Sequence, residues 1–325
     1  MSDQIASLLE STARKDVRAL SRLISMAEND EDAAGRISFL LAKMTYAHPQ
    51  IVGVAGAPGV GKSTLIRSIC LELRKRGLTV GVLAIDPTSP LTGGAVLGDR
   101  SRMSELATDE GVYIRSMGAR GQLGGISRAT RDAIRLLSLF GSGVIIIETT
   151  GVGQNELDVV NAAHTVISVI MPASGDSVQL LESGVTEIAD IIVINKSDLL
   201  GADTLASEVR GALQLRAKKD GWTPPLIKTI ATSAMGVAEI VDTTREHFSF
   251  LEKSGGKVER ERRAYVAEVN LLLRQRVLST ITAELENGAE FREALQSAFE
   301  VRRSPYEFVD MLLSRLLART EISSH

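Results

Sequence analysis

A chain of 325 residues can bury one large core and an appendage, because single cores stop growing at about 250 to 300 residues. Its 44% hydrophobic and 24% charged residues suit a globular protein, and a formal net charge of -3 provides no field that would gather nucleic acid or anionic lipid. The single cysteine, Cys70, excludes a disulfide framework and a cysteine-cluster metal site. No apolar run approaches the ~18 residues of a bilayer span, and MSDQIASLLE lacks the basic-then-apolar order of a signal peptide. The expectation is a cytoplasmic α/β protein with neither a nucleic-acid nor a membrane partner.

Residues 1–47 read as an N-terminal helical extension. Val17, Leu20 and Ile24, then Ile37, Leu40, Leu41 and Met44, recur at helical spacing on either side of the acidic turn from Glu28 to Asp32. Such short helices need a partner, so they should pack on the main core.

Residues 48–252 read as one domain. Short aliphatic runs at 51–56, 79–85, 111–115, 143–148, 165–171, 190–195 and 225–231 alternate with amphipathic helices. Continuous rather than alternating apolar runs imply strands buried on both faces, hence a mostly parallel, doubly wound sheet between helical layers.

Residues 253–325 read as a helical arm entered through SGGK (254–257). Val266, Val269, Leu273, Val277, Ile281 and Leu285 form one stripe. A further helix opens at Ser304-Pro305-Tyr306-Glu307, a capping-box sequence with proline in the first turn, and carries Val309, Leu312, Leu313, Leu316 and Leu317. The arm could fold back on the sheet or pair with a second subunit; the apolar stripe favours a homodimer.

After the first aliphatic run comes GAPGVGKST, comprising Gly56, Ala57, Pro58, Gly59, Val60, Gly61, Lys62, Ser63 and Thr64. Between a strand and a helix this pattern is a phosphate-binding loop. Its backbone N–H groups converge on a polyphosphate, Lys62 places a cation between the outer phosphates, and the Ser63 hydroxyl can reach Mg²⁺. A P-loop NTPase fold follows, with a nucleoside triphosphate as ligand.

In GVIIIETTGVGQNE (143–156), four aliphatic residues lead into Glu148 at the end of a strand. Beside a phosphate loop, such an acid can face the magnesium directly or through water; plain strand-end solvation is the alternative. Gly151 is placed to meet a γ-phosphate through its N–H. Gln154 is the side chain there able to orient a water, although it lies three residues past Gly151 rather than next to it. Lys62, Glu148 and Gln154 are therefore the catalytic candidates. Asp86 and Asp99, in DPTSPLTGGAVLGDRSRM (86–103), add acids that with Ser63 and Glu148 would make an oxygen-rich Mg²⁺ site; for Asp99 the alternative is an incidental loop acid.

The base is read from NKSD. Asp198 can accept paired hydrogen bonds from guanine N1 and N2, which adenine cannot offer, while the Lys196 stem covers the base and Asn195 ties loops together. With Ser233 and Ala234 in TSAMG (232–236) after the next strand, these residues select GTP and GDP over adenine nucleotides.

Taken together, GVGKSTLI, DPTSPLTGGAVLGDRSRM, GQLGGISRATRD (121–132), IETTGVGQNE and NKSD resemble, in order and spacing, the MeaB/ArgK family of P-loop GTPases. That resemblance implies a homodimeric GTPase that docks on an adenosylcobalamin-dependent acyl-CoA mutase; because no arginine is obviously placed as a finger, the Mg²⁺-dependent hydrolysis by the free protein should be slow. On the mutase it would gate cofactor loading and protect or reactivate the enzyme. The resemblance also implies that MPASGDSVQLLESG (171–184), with Gly175, Asp176, Gln179 and Glu182, is a switch coupling nucleotide to mutase. The family usually has lysines where this chain has Glu182 and Ser183, which points to a mutase acting on a different acyl-CoA. No D-x-H-x-x-G cobalamin pattern occurs, so the chain is not expected to carry the cofactor itself. Two other classes remain as alternatives: a protein kinase or phosphotransferase, under the family's older label, and a nickel-insertion GTPase. The second fits poorly with a lone Cys70 and scattered His48, His164, His247 and His325.

Overall fold

The computed structural model describes residues 2–86, 106, 108–118, 128–149, 161–172, 189–215, 221–287 and 289–322. It forms two compact units, Met1–Tyr265 and Val266–His325.

The first unit opens with α1 (Ser2–Ala13), α2 (Val17–Asn29) and α3 (Glu31–Leu41). Asp16 caps α2 by accepting the amides of Arg18 at 2.8 Å and Ala19 at 3.2 Å. Asp30 does the same for α3 with Asp32 at 2.9 Å and Ala33 at 3.0 Å. Each cap is worth about 1 kcal/mol, and the acidic turn therefore acts as punctuation between helices. The helices bury Ile5, Leu9, Leu20, Leu23, Ile24 and Ile37 against Leu83, Ile145 and Ile147 of the sheet, as their apolar stripes require.

Seven strands form that sheet: β1 (Gln50–Ala55), β2 (Val80–Asp86), β3 (Val112–Gly118), β4 (Val144–Thr149), β5 (Thr165–Ile170), β6 (Ile191–Ile194) and β7 (Leu226–Lys228). Their order is β3-β2-β4-β1-β5-β6-β7, and every pairing is parallel. β4 and β5 are buried at every position, which is what continuous aliphatic runs are suited to. On one face lie α1 to α3 and α5 (Arg128–Phe140); on the other, α4 (Lys62–Lys75) and α7 (Val237–Ser254) pack over Val52, Val54, Val82 and Ile146. Between β6 and β7 comes α6 (Ala202–Leu215), whose Leu205 and Val209 pack on Ile192 and Ile194.

Two elements differ from the sequence expectation. The strand expected at 111–115 continues to Gly118 as β3. The run 225–231 contains a strand of only three residues, because Ile230 bonds Met235 and folds the chain into a 3₁₀ turn at Ala231–Ser233.

Opposite the carboxyl ends of the strands, a polar cluster ties the start of α8 (Gly256–Asn287) to the sheet. Arg260 grips Asp190 through two 2.7 Å bonds and donates to the His164 carbonyl at 2.6 Å. His164 Nδ1 accepts the Ile51 amide at 3.0 Å, and His247 Nδ1 pairs with the Thr165 hydroxyl at 2.9 Å. Both imidazoles are pushed down to about 4. Burial is the main cause for each; Lys257, Arg260 and His48 add to it at His164, while at His247 the Asp190 charge partly opposes it.

The second unit comprises the rest of α8 with α9 (Ala289–Glu300) and α10 (Pro305–Ile322). Phe291 and Phe308 pack together with ring centroids 6.2 Å apart. Along α8, Val266, Val269, Leu273 and Val277 are all exposed.

Candidate functional site

The strand order gathers the chemistry at the carboxyl end of β1. This strand sits between β4, which carries Glu148 opposite Val54, and β5; β6, which leads into NKSD, is the next strand beyond. Residues distant in sequence therefore converge on the loop from Gly56 to Gly61.

That loop is tightly packed. A Cβ on Gly56 would lie 2.2 Å from the Val169 carbonyl oxygen, and one on Gly61, where φ is 94°, would lie 2.4 Å from Asn195 Nδ2. Only glycine fits either position. Gly61 caps α4 without a side-chain hydrogen bond, so the first-turn N–H groups of that 14-residue helix and its dipole are directed at whatever the loop encloses.

Lys62 is buried and donates to the carbonyls of Gly56 at 2.6 Å and Ala57 at 3.1 Å, which holds its ammonium over the loop. Ser63 donates to Glu148 Oε1 at 2.8 Å, with both residues buried. A hydroxyl and a carboxylate in contact beneath a phosphate cradle are the hard oxygen donors that Mg²⁺ takes, so the residues present fit that ion. Glu148 also influences Cys70 behind it: burial first, and then the Glu148 charge, pushes the thiol up to about 12. Asp86 ends β2, paired with Gly118, two residues beyond Ala84, the partner of Glu148 on the adjacent strand. Asp99, Gly151, Gln154, Gly175, Asp176, Gln179 and Glu182 lie outside the described residues.

The NKSD segment is fastened to the phosphate loop. Asn195 donates through Nδ2 to the Val60 carbonyl at 2.8 Å, and Lys196, with φ 54°, donates to the Gly59 carbonyl at 2.8 Å. The Asn195 amide orientation is determined by two donors to Oδ1, the Thr229 hydroxyl and the Ala231 amide, each at 3.1 Å. Thr229 also donates its own amide to Ile194 and accepts that of Ser197, bracketing the turn from which exposed Asp198 projects. Ser233 and Ala234 close the adjoining turn, Ala234 with φ 59°. Sequence reading missed Thr229 and Ser68, whose hydroxyl donates to the Ala231 carbonyl at 2.7 Å. Their only signal is a small hydroxyl residue between a basic side chain, Arg67 or Lys228, and an aliphatic one.

A helix N-terminus opening from the central strand of a parallel sheet, with lysine and serine in its first turn, defines a P-loop NTPase. Consistent with this, the chain superposes on a solved structure described as a LAO/AO transport system kinase with a TM-score of 0.71 and 25% identity, covering 97% of this chain and 98% of that one. The family described as "Methylmalonyl Co-A mutase-associated GTPase MeaB" matches residues 20–286, and the chain belongs to that family. Among its relatives is a protein of Pyrococcus abyssi described as a GTPase, 45% identical over 96% of this chain and 97% of its own length. GTPase ArgK of Escherichia coli is 34% identical over 78% of each chain. The mouse protein called methylmalonic aciduria type A homolog, mitochondrial, is 41% identical over 60% of this chain and 48% of its own length. The protein is a GTPase of this family.

Proposed function

We propose that this GTPase is a nucleotide-driven chaperone of an adenosylcobalamin-dependent acyl-CoA mutase, gating cofactor loading and protecting or reactivating the loaded enzyme. The observation that carries the reading is the family match over residues 20–286, with its mutase-associated description; the mouse relative's name points the same way.

In this reading Gly56 to Thr64 cradle the phosphates and Lys62 neutralises the charge shared between the outer two. Ser63 and Glu148, with Asp86 and Asp99, serve Mg²⁺, which when bound offsets charge on the phosphoryl oxygens. Asn195 and Lys196 hold the base loop against the phosphate loop, while Asp198, Ser233 and Ala234 select guanine. Gly151 and Gln154 report and act on the γ-phosphate, and the segment with Gly175, Asp176, Gln179 and Glu182 carries that report to the mutase. The exposed stripe Val266, Val269, Leu273 and Val277 supports a homodimer through the C-terminal helices, testable by analytical ultracentrifugation of wild type and a Leu273→Glu variant.

A partner that prefers one nucleotide state must alter nucleotide affinity reciprocally, typically by about 1 to 3 kcal/mol. The test is the GTP hydrolysis rate against the concentration of purified mutases of different acyl-CoA specificity. The cognate mutase should bind and accelerate hydrolysis, and Glu182→Lys should reduce the acceleration without weakening GDP binding by the free protein. If no mutase binds or accelerates, the chaperone reading fails while the GTPase activity stands. The kinase description of the superposed structure favours a second reading, phosphoryl transfer to a protein; radiolabelled phosphate appearing on a protein acceptor, rather than free in solution, would establish it.

A further inference from the structure

Ser68 is buried on α4, the helix whose first turn carries Lys62 and Ser63. Its hydroxyl reaches across the fold to the Ala231 carbonyl at 2.7 Å. The amide N–H of Ala231 is taken as well, by Asn195 Oδ1 at 3.1 Å. The residue that opens the 3₁₀ turn is thus held from both sides, by the phosphate helix and by the NKSD segment. The consequence falls on Ala234 at the other end of the turn. Its N–H points back at the same Ala231 carbonyl, but at 3.4 Å, the outer edge of a hydrogen bond and well beyond the usual 2.9 to 3.0 Å. An amide held that loosely remains available to a stronger acceptor, and the left-handed conformation of Ala234 (φ 59°) is maintained by the neighbouring Ile230 and Met235 bridge.

We propose that Ser68 is a positioning residue for base recognition: by donating to the Ala231 carbonyl it shares that acceptor with the Ala234 N–H, whose own bond to it stays at 3.4 Å, and so leaves that N–H able to donate to a purine 6-oxo oxygen. The inference rests on the reading of residues 195–198 and 233–234 as the guanine subsite. It makes α4 a single rigid link whose amino end meets phosphate and whose middle sets the loop that meets the base.

The test compares Ser68→Ala with wild type by calorimetric titration against GDP, IDP and the 5′-diphosphate of 2-aminopurine riboside. GDP and IDP share the 6-oxo group, whereas the 2-aminopurine nucleotide lacks it. Losing one hydrogen bond's worth of positioning predicts that Ser68→Ala weakens GDP and IDP alike by about three- to tenfold and leaves the 2-aminopurine nucleotide unchanged. Equal weakening of all three nucleotides, as general loosening of the helix would produce, or no weakening of any, overturns the proposal. If the alanine variant does not fold, Ser68→Cys, a near-isostere with a feeble donor, should still shift the ratio of GDP to 2-aminopurine nucleotide affinity toward one; an unshifted ratio overturns it too. Wild-type protein that binds ADP as tightly as GDP refutes the guanine subsite itself, and Ser68 with it. A guanine-selective wild type with a base-blind loss in the variant refutes Ser68 alone.

Discussion

Lowering the pH from 7 to 5 should destabilise the first unit through two buried histidines, His164 and His247. Their side chains are 6% and 1% exposed, and both titrate near 4 in the folded chain from an ordinary value of 6.5. The hydrogen bonding agrees at His164: Nδ1 already accepts the Ile51 amide, so a proton there would set N–H against N–H. Between about pH 6.5 and pH 4 the unfolded chain binds protons that the folded chain refuses, so stability falls as pH falls. Each imidazole then costs about 2 kcal/mol between pH 7 and 5, or roughly 4 kcal/mol for the pair, a large share of a typical stability of about 5 to 15 kcal/mol. The carboxylates held below their usual range, Asp109 by Arg74, Asp203 by Lys228, Asp242 by Arg76 and Glu259 by Arg262 and Arg263, lose their stabilisation as pH falls through the carboxylate range, so they act in the same direction and do not mask the effect. Urea unfolding followed by fluorescence of Trp222 is the assay, since its ring lies 4.8 Å from that of His247 and the chain has no other tryptophan. His247→Gln, which cannot titrate, should roughly halve the pH dependence. Equal stability at both pH values, or an undiminished dependence in both His247→Gln and His164→Gln, would refute the reasoning.

Lys62→Ala should lower GTP turnover by at least about 10²-fold, read by phosphate release, with the fold intact by circular dichroism. Asp198→Asn should weaken GDP by about tenfold or more, the scale of a hydrogen bond to a charged group, and favour xanthine nucleotides because the donor and acceptor pattern inverts; unchanged GDP affinity in calorimetry would remove the base assignment. Glu148→Ala should raise the Mg²⁺ concentration needed for half-maximal turnover more than it weakens GDP; an unaltered Mg²⁺ requirement would separate Glu148 from the metal. With its thiol pushed up to about 12 and buried, Cys70 should resist iodoacetamide at neutral pH in the native protein and react once urea unfolds it; modification at the rate of a free thiol in native protein would contradict that burial.

Local motifs were legible wherever a short stretch does its work with its own backbone. Gly56 to Ser63 declared itself because a phosphate cradle needs glycines, lysine and serine at close spacing on one turn. Glu148 stood out as a charge after four aliphatic residues, in a strand buried at every position, and the continuous aliphatic runs implied the parallel sheet. The acidic turn around Asp30 was visible only as a break, although it works as a cap, because capping is a matter of backbone angle as well as residue type. Thr229 and Ser68 went unread because their significance is a partner far away in sequence: Ser68 serves Ala231, and Thr229 serves Asn195.

Sequence alone determined that this chain folds as a parallel α/β domain with a phosphate-binding loop, an acid at the end of a neighbouring strand and a guanine-type tetrapeptide, since each depends on periodicity or on contiguous residue chemistry. Tertiary structure decided the strand order, which sets β1 between β4 and β5 and so brings Glu148 to Ser63 and Asn195 to Val60. It also decided that Arg260, Asp190, His164 and His247 meet at the opposite end of the sheet. The reason is physical: hydrophobic patterning says which face of an element is buried, but many strand orders would bury those faces equally well. Which one forms is settled by the pairing and packing of the whole sheet, and only then do distant hydroxyls, amides and charges come within the ~3 Å at which they act on one another.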